Sequence, residues 1–182
     1  MKKTYLIGVI VLVALLATAG IALAASANFR THLSGDNEVP PAGVMIMTLA
    51  QGQAVFQLSN DGSELSYQLI ASNIDNVFMA HIHQGPAGSN GPVVVWLYPA
   101  PDQQAPLPIP GRHDGVLAEG VIRAENLVGP LTGQPLSALI EAIQNGNAYV
   151  NVHTNDFIVP PNTGPGDYPG GEIRGQLSGH EH

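Results

Sequence analysis

The chain has 182 residues and a mass of 19.0 kDa; 45% of the residues are hydrophobic, 11% are charged and Cys is absent. A charged fraction under half the ~25% usual in soluble domains, with 21 Gly and 15 Pro in no fixed period, excludes collagen and wholesale disorder. Six Lys and Arg stand against 14 acids, a net charge of −8, and no basic stripe is present to neutralise phosphates, so nucleic acid is not an expected partner.

At the N-terminus, Lys2 and Lys3 precede an almost unbroken apolar stretch from Leu6 to Ala24, followed by Ala25-Ser26-Ala27. A charged start, an apolar middle and a small-residue Ala-x-Ala ending predict a secretory signal peptide over 1–27, cut after Ala24 or Ala27. The stretch also approaches the ~20 residues of a membrane span, so an uncleaved anchor is the alternative. Both readings put the remainder in the cell envelope or outside the cell, with no membrane contact beyond that segment. Losing Lys2 and Lys3 leaves four Arg against 14 acids, a net charge of −10 that favours cations. Residues 28–182, about 155 in all, suffice for a single domain. Export permits disulfides, yet no Cys is available, so the core or a metal must supply the stability.

Period-two patterns then recur. Strands are expected at 29–33, 44–49, 54–58, 65–69, 77–83, 93–98, 116–123, 148–153 and 172–177. Asn60-Asp61-Gly62-Ser63 makes a hairpin turn between the third and fourth. Val93 to Leu97 is continuously apolar, as in a strand buried on both faces. The Pro-rich stretch 98–111 reads as a crossover loop. One short helix is expected, with Thr132 or Gly133 as cap and Pro135 in its first turn. Leu136, Leu139, Ile140 and Ile143 recur at helical spacing, and Asn145-Gly146 ends it. The expected fold is all-β: an antiparallel Greek-key β-sandwich or barrel of about nine strands with one short helix.

Polar residues on strand faces carry the chemistry. His81-Ile82-His83 puts two imidazoles on one face, and Tyr149-Val150-Asn151-Val152-His153 groups Tyr149, Asn151 and His153 opposite two valines. Alternate residues on a strand are roughly 6.6 Å apart, within reach of one ion at ~2.0–2.1 Å per bond. His81, His83 and His153 are therefore the candidate ligands of copper or zinc. Glu172 or Asn151 is expected to orient an imidazole through its second nitrogen. Arg174 shares the polar face of 172–177 and is expected to pair with Glu172 or Asp156. The same faces also suit buried polar residues that bond to one another and fix strand register without any metal. His32 falls on the opposite side of its strand from Phe29 and is left out, and His180-Glu181-His182 reads as a solvated tail. No nucleophile elbow, trusted carboxylate pair or Cys nucleophile appears, so classical hydrolysis is not expected.

Four motifs occur in one order. They are Leu33-Ser34-Gly35-Asp36-Asn37-Glu38-Val39-Pro40-Pro41; Ala80-His81-Ile82-His83-Gln84-Gly85 with Asn90-Gly91-Pro92-Val93-Val94; Ala148-Tyr149-Val150-Asn151-Val152-His153-Thr154; and Pro169-Gly170-Gly171-Glu172-Ile173-Arg174-Gly175-Gln176-Leu177. Together they resemble the CHRD domain, found in the morphogen antagonist chordin and in exported microbial proteins, over about 28–177. The resemblance implies an extracellular β-rich binding or scaffold domain, with an extracellular protein or cell-surface partner and no assigned catalysis. The order of His-x-His, a Val-x-Val-His strand and an Arg-bearing Gly-rich strand is also similar to copper/zinc superoxide dismutase. That likeness implies His81, His83 and His153 as copper ligands, while the bridging histidine, the zinc loop and the disulfide of that family have no counterpart here. Three readings result: an exported binding domain with a copper or zinc site, a copper enzyme acting on superoxide, and a purely structural domain.

Overall fold

The computed structural model describes residues 27–180; nearly all of the expected signal segment, and Glu181 and His182 of the tail, lie outside the described residues. Eight strands and one α-helix follow in order. They are β1 (Asn28–Ser34), β2 (Gln51–Leu58), β3 (Leu65–Gln84), β4 (Val93–Tyr98), β5 (Ile109–Ile122), α1 (Leu136–Gln144), β6 (Ala148–Thr154), β7 (Ile173–Gln176) and β8 (Ser178–His180). All pairings are antiparallel, and the sheet runs β2-β1-β7-β6-β3-β4. The N-terminal half of β3 returns to pair with β2, so the sheet closes into a barrel.

The 20-residue β3 makes this closure possible. Its first half pairs with β2 and β5, and its second half with β6 and β4. Alternation in the sequence predicts two strands here, 65–69 and 77–83. The chain instead runs through as one, with register shifts between Ala71 and Val77 that let it bend from one side of the barrel to the other. Asn73 and Asn76 take positive φ in this bend, a conformation their short polar side chains tolerate.

Alternation sets the interior. Phe29 and Leu33 of β1, Ala54 and Phe56 of β2, Leu65, Tyr67, Leu69, Ala80 and Ile82 of β3, and Val150 and Val152 of β6 enter one core. Each fully buried Leu, Ile or Val contributes roughly 1.5–3 kcal/mol relative to exposure. Helix α1 adds Leu136, Leu139, Ile140 and Ile143 to the same core, the four residues that its spacing predicts. Tyr67 also reaches across, its hydroxyl donating to the Leu97 carbonyl at 2.7 Å.

Two further expectations are corrected, and one strand is new. The stretch 44–49 alternates but joins no ladder. It is tethered by side chains instead: the Met47 amide donates to the Tyr168 hydroxyl at 3.0 Å, and Thr48 donates to Glu172. β5 begins at Ile109, inside the expected crossover; it is bonded to β3 alone, an edge position where Pro110 deprives no ladder of a donor. β8, missed in the sequence, adds a short strand to β1.

Candidate metal centre

The site lies on the outer face of the barrel. Ala80 and Ile82 occupy the core, so the intervening alternation turns His81 and His83 outward; Val150 and Val152 do the same for Tyr149, Asn151 and His153. Register then aligns these residues across strands. Trp96, His81, Asn151 and Arg174 form one row over β4, β3, β6 and β7, and His83, Tyr149 and Gln176 form the next. Between Val77 and Met79 the register shifts, and Phe78 is buried outside the core with its ring 6.3 Å from that of His153.

An outer face would ordinarily be wet. Here His81 is 3% exposed, Asn151 2%, His153 6% and Arg174 1%. Connecting segments cover the face: Gly91 and Asn90 of the β3–β4 loop, Glu38 and Thr48 of the β1–β2 segment, and Tyr168 and Pro169 before β7 all bond to its residues or to each other.

The structure brings His81, His83 and His153 together, one ring nitrogen from each lying within 4.8 Å of the others. Ring centroids are 5.0 Å apart for His81 and His153, 5.5 Å for His81 and His83, and 5.8 Å for His83 and His153. Hydrogen bonds fix two tautomers. His83 Nδ1 lies 2.9 Å from the Gly91 carbonyl and His153 Nδ1 lies 3.0 Å from the Pro169 carbonyl. A carbonyl only accepts, so both Nδ1 atoms carry the proton and both Nε2 atoms keep a lone pair. His153 Nε2 faces His81 Nδ1 at 3.1 Å. Two nitrogens bound to one ion at ~2.0–2.1 Å, at right to tetrahedral angles, lie about 3–3.4 Å apart, so this spacing suits shared coordination.

Buried atoms without a partner occur on two of the three rings. His81 Nε2 and His83 Nε2 are buried and have no hydrogen-bond partner. A buried acceptor left bare costs ~1–3 kcal/mol, and an ion shared with His81 Nδ1 and His153 Nε2 would remove that penalty at His83 Nε2. Burial also keeps the rings neutral, the state that ligation requires. Desolvation, aided by the neighbouring His153 and His83, lowers the pKa of His81 to about 2. Desolvation, with repulsion from His83, lowers that of His153 to about 4, and burial lowers that of His83 as well.

The expected supporting residues take other roles. Neither Glu172 nor Asn151 orients an imidazole; the backbone carbonyls of Gly91 and Pro169 do so. Asn151 Nδ2 instead donates to both oxygens of Glu38, at 3.0 and 3.1 Å. Glu172 is fully buried and accepts from Thr48 Oγ1, Thr154 Oγ1 and the Gly166 amide. Arg174 pairs with neither Glu172 nor Asp156, whose Oδ1 accepts from the Ile158 amide. Its guanidinium bonds to Pro86, Ser89 and Asn90 and lies over the Tyr149 ring. His32 is exposed, away from the cluster.

Glu38 and Trp96 escape sequence reasoning. Glu38 is brought in by a 3-10 turn at Gly35–Asn37, and burial raises its pKa to about 7 against the opposing pull of Arg174. Trp96 sits in a run that reads as buried on both faces. Its ring stands perpendicular to that of His81 with centroids 4.3 Å apart, and only the β3–β4 register reveals it.

These features define a closed all-β barrel domain with a loop-covered three-imidazole cluster. The chain belongs to the CHRD family: the family's model, the CHRD domain, matches residues 29–159. The match takes in all three histidines and stops short of β7 and β8. No curated protein and no solved structure matches the chain.

Proposed function

We propose that this CHRD-domain protein is an exported binding or scaffold domain that retains one copper or zinc ion on His81, His83 and His153. The observation that carries this reading is the buried, partnerless Nε2 of His83, in a cluster where a ring nitrogen from each of the three histidines lies within 4.8 Å of the others and His81 Nδ1 faces His153 Nε2 at 3.1 Å. Hydrogen bonds among polar residues occupy Asn151 Nδ2, Glu172 and Arg174, but they leave His83 Nε2, like Asn151 Oδ1, without a partner. Neutral imidazoles match copper and zinc better than calcium or magnesium, which take oxygen ligands.

The Nε2 atoms of His81 and His83 have almost no contact with solvent. A sealed ion suits stabilisation or carriage rather than turnover of a diffusing substrate, which favours the binding-domain reading over superoxide chemistry. The leader-like segment and the acidic, Lys-free remainder support a location outside the cytoplasm and a cationic partner.

Elemental analysis of tag-free protein tests the reading. About one copper or zinc per chain is expected in the wild type and a negligible amount in His83→Ala. Negligible metal in both, after exposure to either ion, overturns it.

A further inference from the structure

The loop from Pro86 to Gly91 is held by two residues of neighbouring strands. Arg174 of β7 donates to the carbonyls of Pro86 at 3.1 Å and Ser89 at 2.8 Å, and to Asn90 Oδ1 at 3.1 Å. Its Cζ lies 3.4 Å from the centroid of the Tyr149 ring. On its other side Tyr149 is stacked on His83, at 4.9 Å and 9° between planes, since β6 lies between β7 and β3. The Tyr149 hydroxyl accepts from the Gly91 amide at 3.0 Å, and the carbonyl of that same Gly91 accepts from His83 Nδ1. A Cβ on Gly91 would sit 1.7 Å from the Gln84 carbonyl oxygen, so the return of the loop fits closely against its start.

Two of these contacts reach His83 directly, the Tyr149 stack and the bond to the Gly91 carbonyl, and the others hold Tyr149 and the loop. The stack fixes the plane of the imidazole, and the Gly91 carbonyl fixes which nitrogen bears the proton. We infer that Arg174 and Tyr149 form a clamp that sets the ring plane and tautomer of His83, as positioning residues for the metal centre proposed above; its role at the ion rests on that proposal. Planarity matters here: a guanidinium can lie flat on the phenol ring and still donate to three acceptors, which a lysine ammonium cannot do. Groups that orient a ligand histidine through its second nitrogen commonly change metal affinity by 10–100-fold when altered.

Two variants and two readouts test the clamp on the full-length chain. Arg174→Lys keeps the charge and loses the flat fork; Tyr149→Phe keeps the ring and loses the acceptor for the Gly91 amide. Long-range nitrogen–proton NMR of metal-free protein is expected to show a single Nδ1–H tautomer for His83 in the wild type and a tautomer mixture in each variant, with His153 unchanged. Copper(II) binding is expected to weaken by about tenfold or more, and its electron paramagnetic resonance spectrum to lose one coupled nitrogen. Folded variants that keep the single His83 tautomer overturn the clamp, whatever their metal content; if Arg174→Lys does not fold, Tyr149→Phe decides by the same criterion. Wild-type protein that takes up no metal, while the variants still scramble the tautomer, overturns the metal reading and upholds the clamp.

Discussion

His81, His83 and His153 stay neutral because burial, and mutual repulsion at His81 and His153, penalise their charged forms. That has a definite consequence for stability. An unfolded histidine protonates near pH 6.5, whereas His153 in the fold waits until about 4 and His81 until about 2. Below pH 6.5 the unfolded chain therefore binds more protons than the folded one, and stability falls as pH drops, by up to ~1.4 kcal/mol per pH unit for each histidine. Glu38 works in the opposite sense: its pKa is raised to about 7, so its contribution is lost as pH rises from 4.5 to 7. Three histidines outweigh one carboxyl. Chemical denaturation of metal-free protein is thus expected to show lower stability at pH 5 than at pH 6.5. A flat profile, or one rising toward acid, would show that the rings are not held neutral.

At the scale of elements, alternation in β3 and β6 is a local signal, because each outward histidine directly follows a core residue, Ala80, Ile82 or Val152. The three histidines are legible in the sequence for that reason. Their orienting partners are not, since Gly91 and Pro169 act through backbone carbonyls, which no side-chain pattern encodes. The same limit explains the 44–49 stretch. Alternation there reflects one side held against Tyr168 and Glu172 and one side exposed, with Met45, Met47 and Leu49 outward, rather than pairing with another strand. Gly91 is the most sensitive point of the covering loops. Gly91→Ala is expected to destabilise the fold by about 1–3 kcal/mol through the clash with Gln84 and to weaken metal retention. Thermal melts and metal content read together check this, and a variant matching the wild type in both would show that the loop tolerates displacement.

Over the whole molecule, the barrel core and the covered outer face are separate structures sharing the same strands. The class of the fold and helix α1 are readable from periodicity. The fusion of two expected strands into β3 is not, because closure depends on pairing between distant segments. Cys is absent, so an ion held by the three histidines would be a cross-link between β3 and β6 that no disulfide can supply. An ion that binds only the folded chain stabilises it by mass action, about 2.7 kcal/mol at a free concentration one hundred times its dissociation constant. The melting temperature is therefore expected to rise with added copper or zinc and to fall on chelation, by several degrees for a domain of this size. His153→Ala is expected to remove the metal dependence.

Diffraction from crystals grown with copper or zinc, with data collected at the absorption edge of the ion, examines the convergence of the rings directly. One anomalous peak is expected among the three imidazoles, ~2.0–2.1 Å from a nitrogen of each. Density containing only water there, with the His81 and His83 nitrogens bonded to it, would contradict the account.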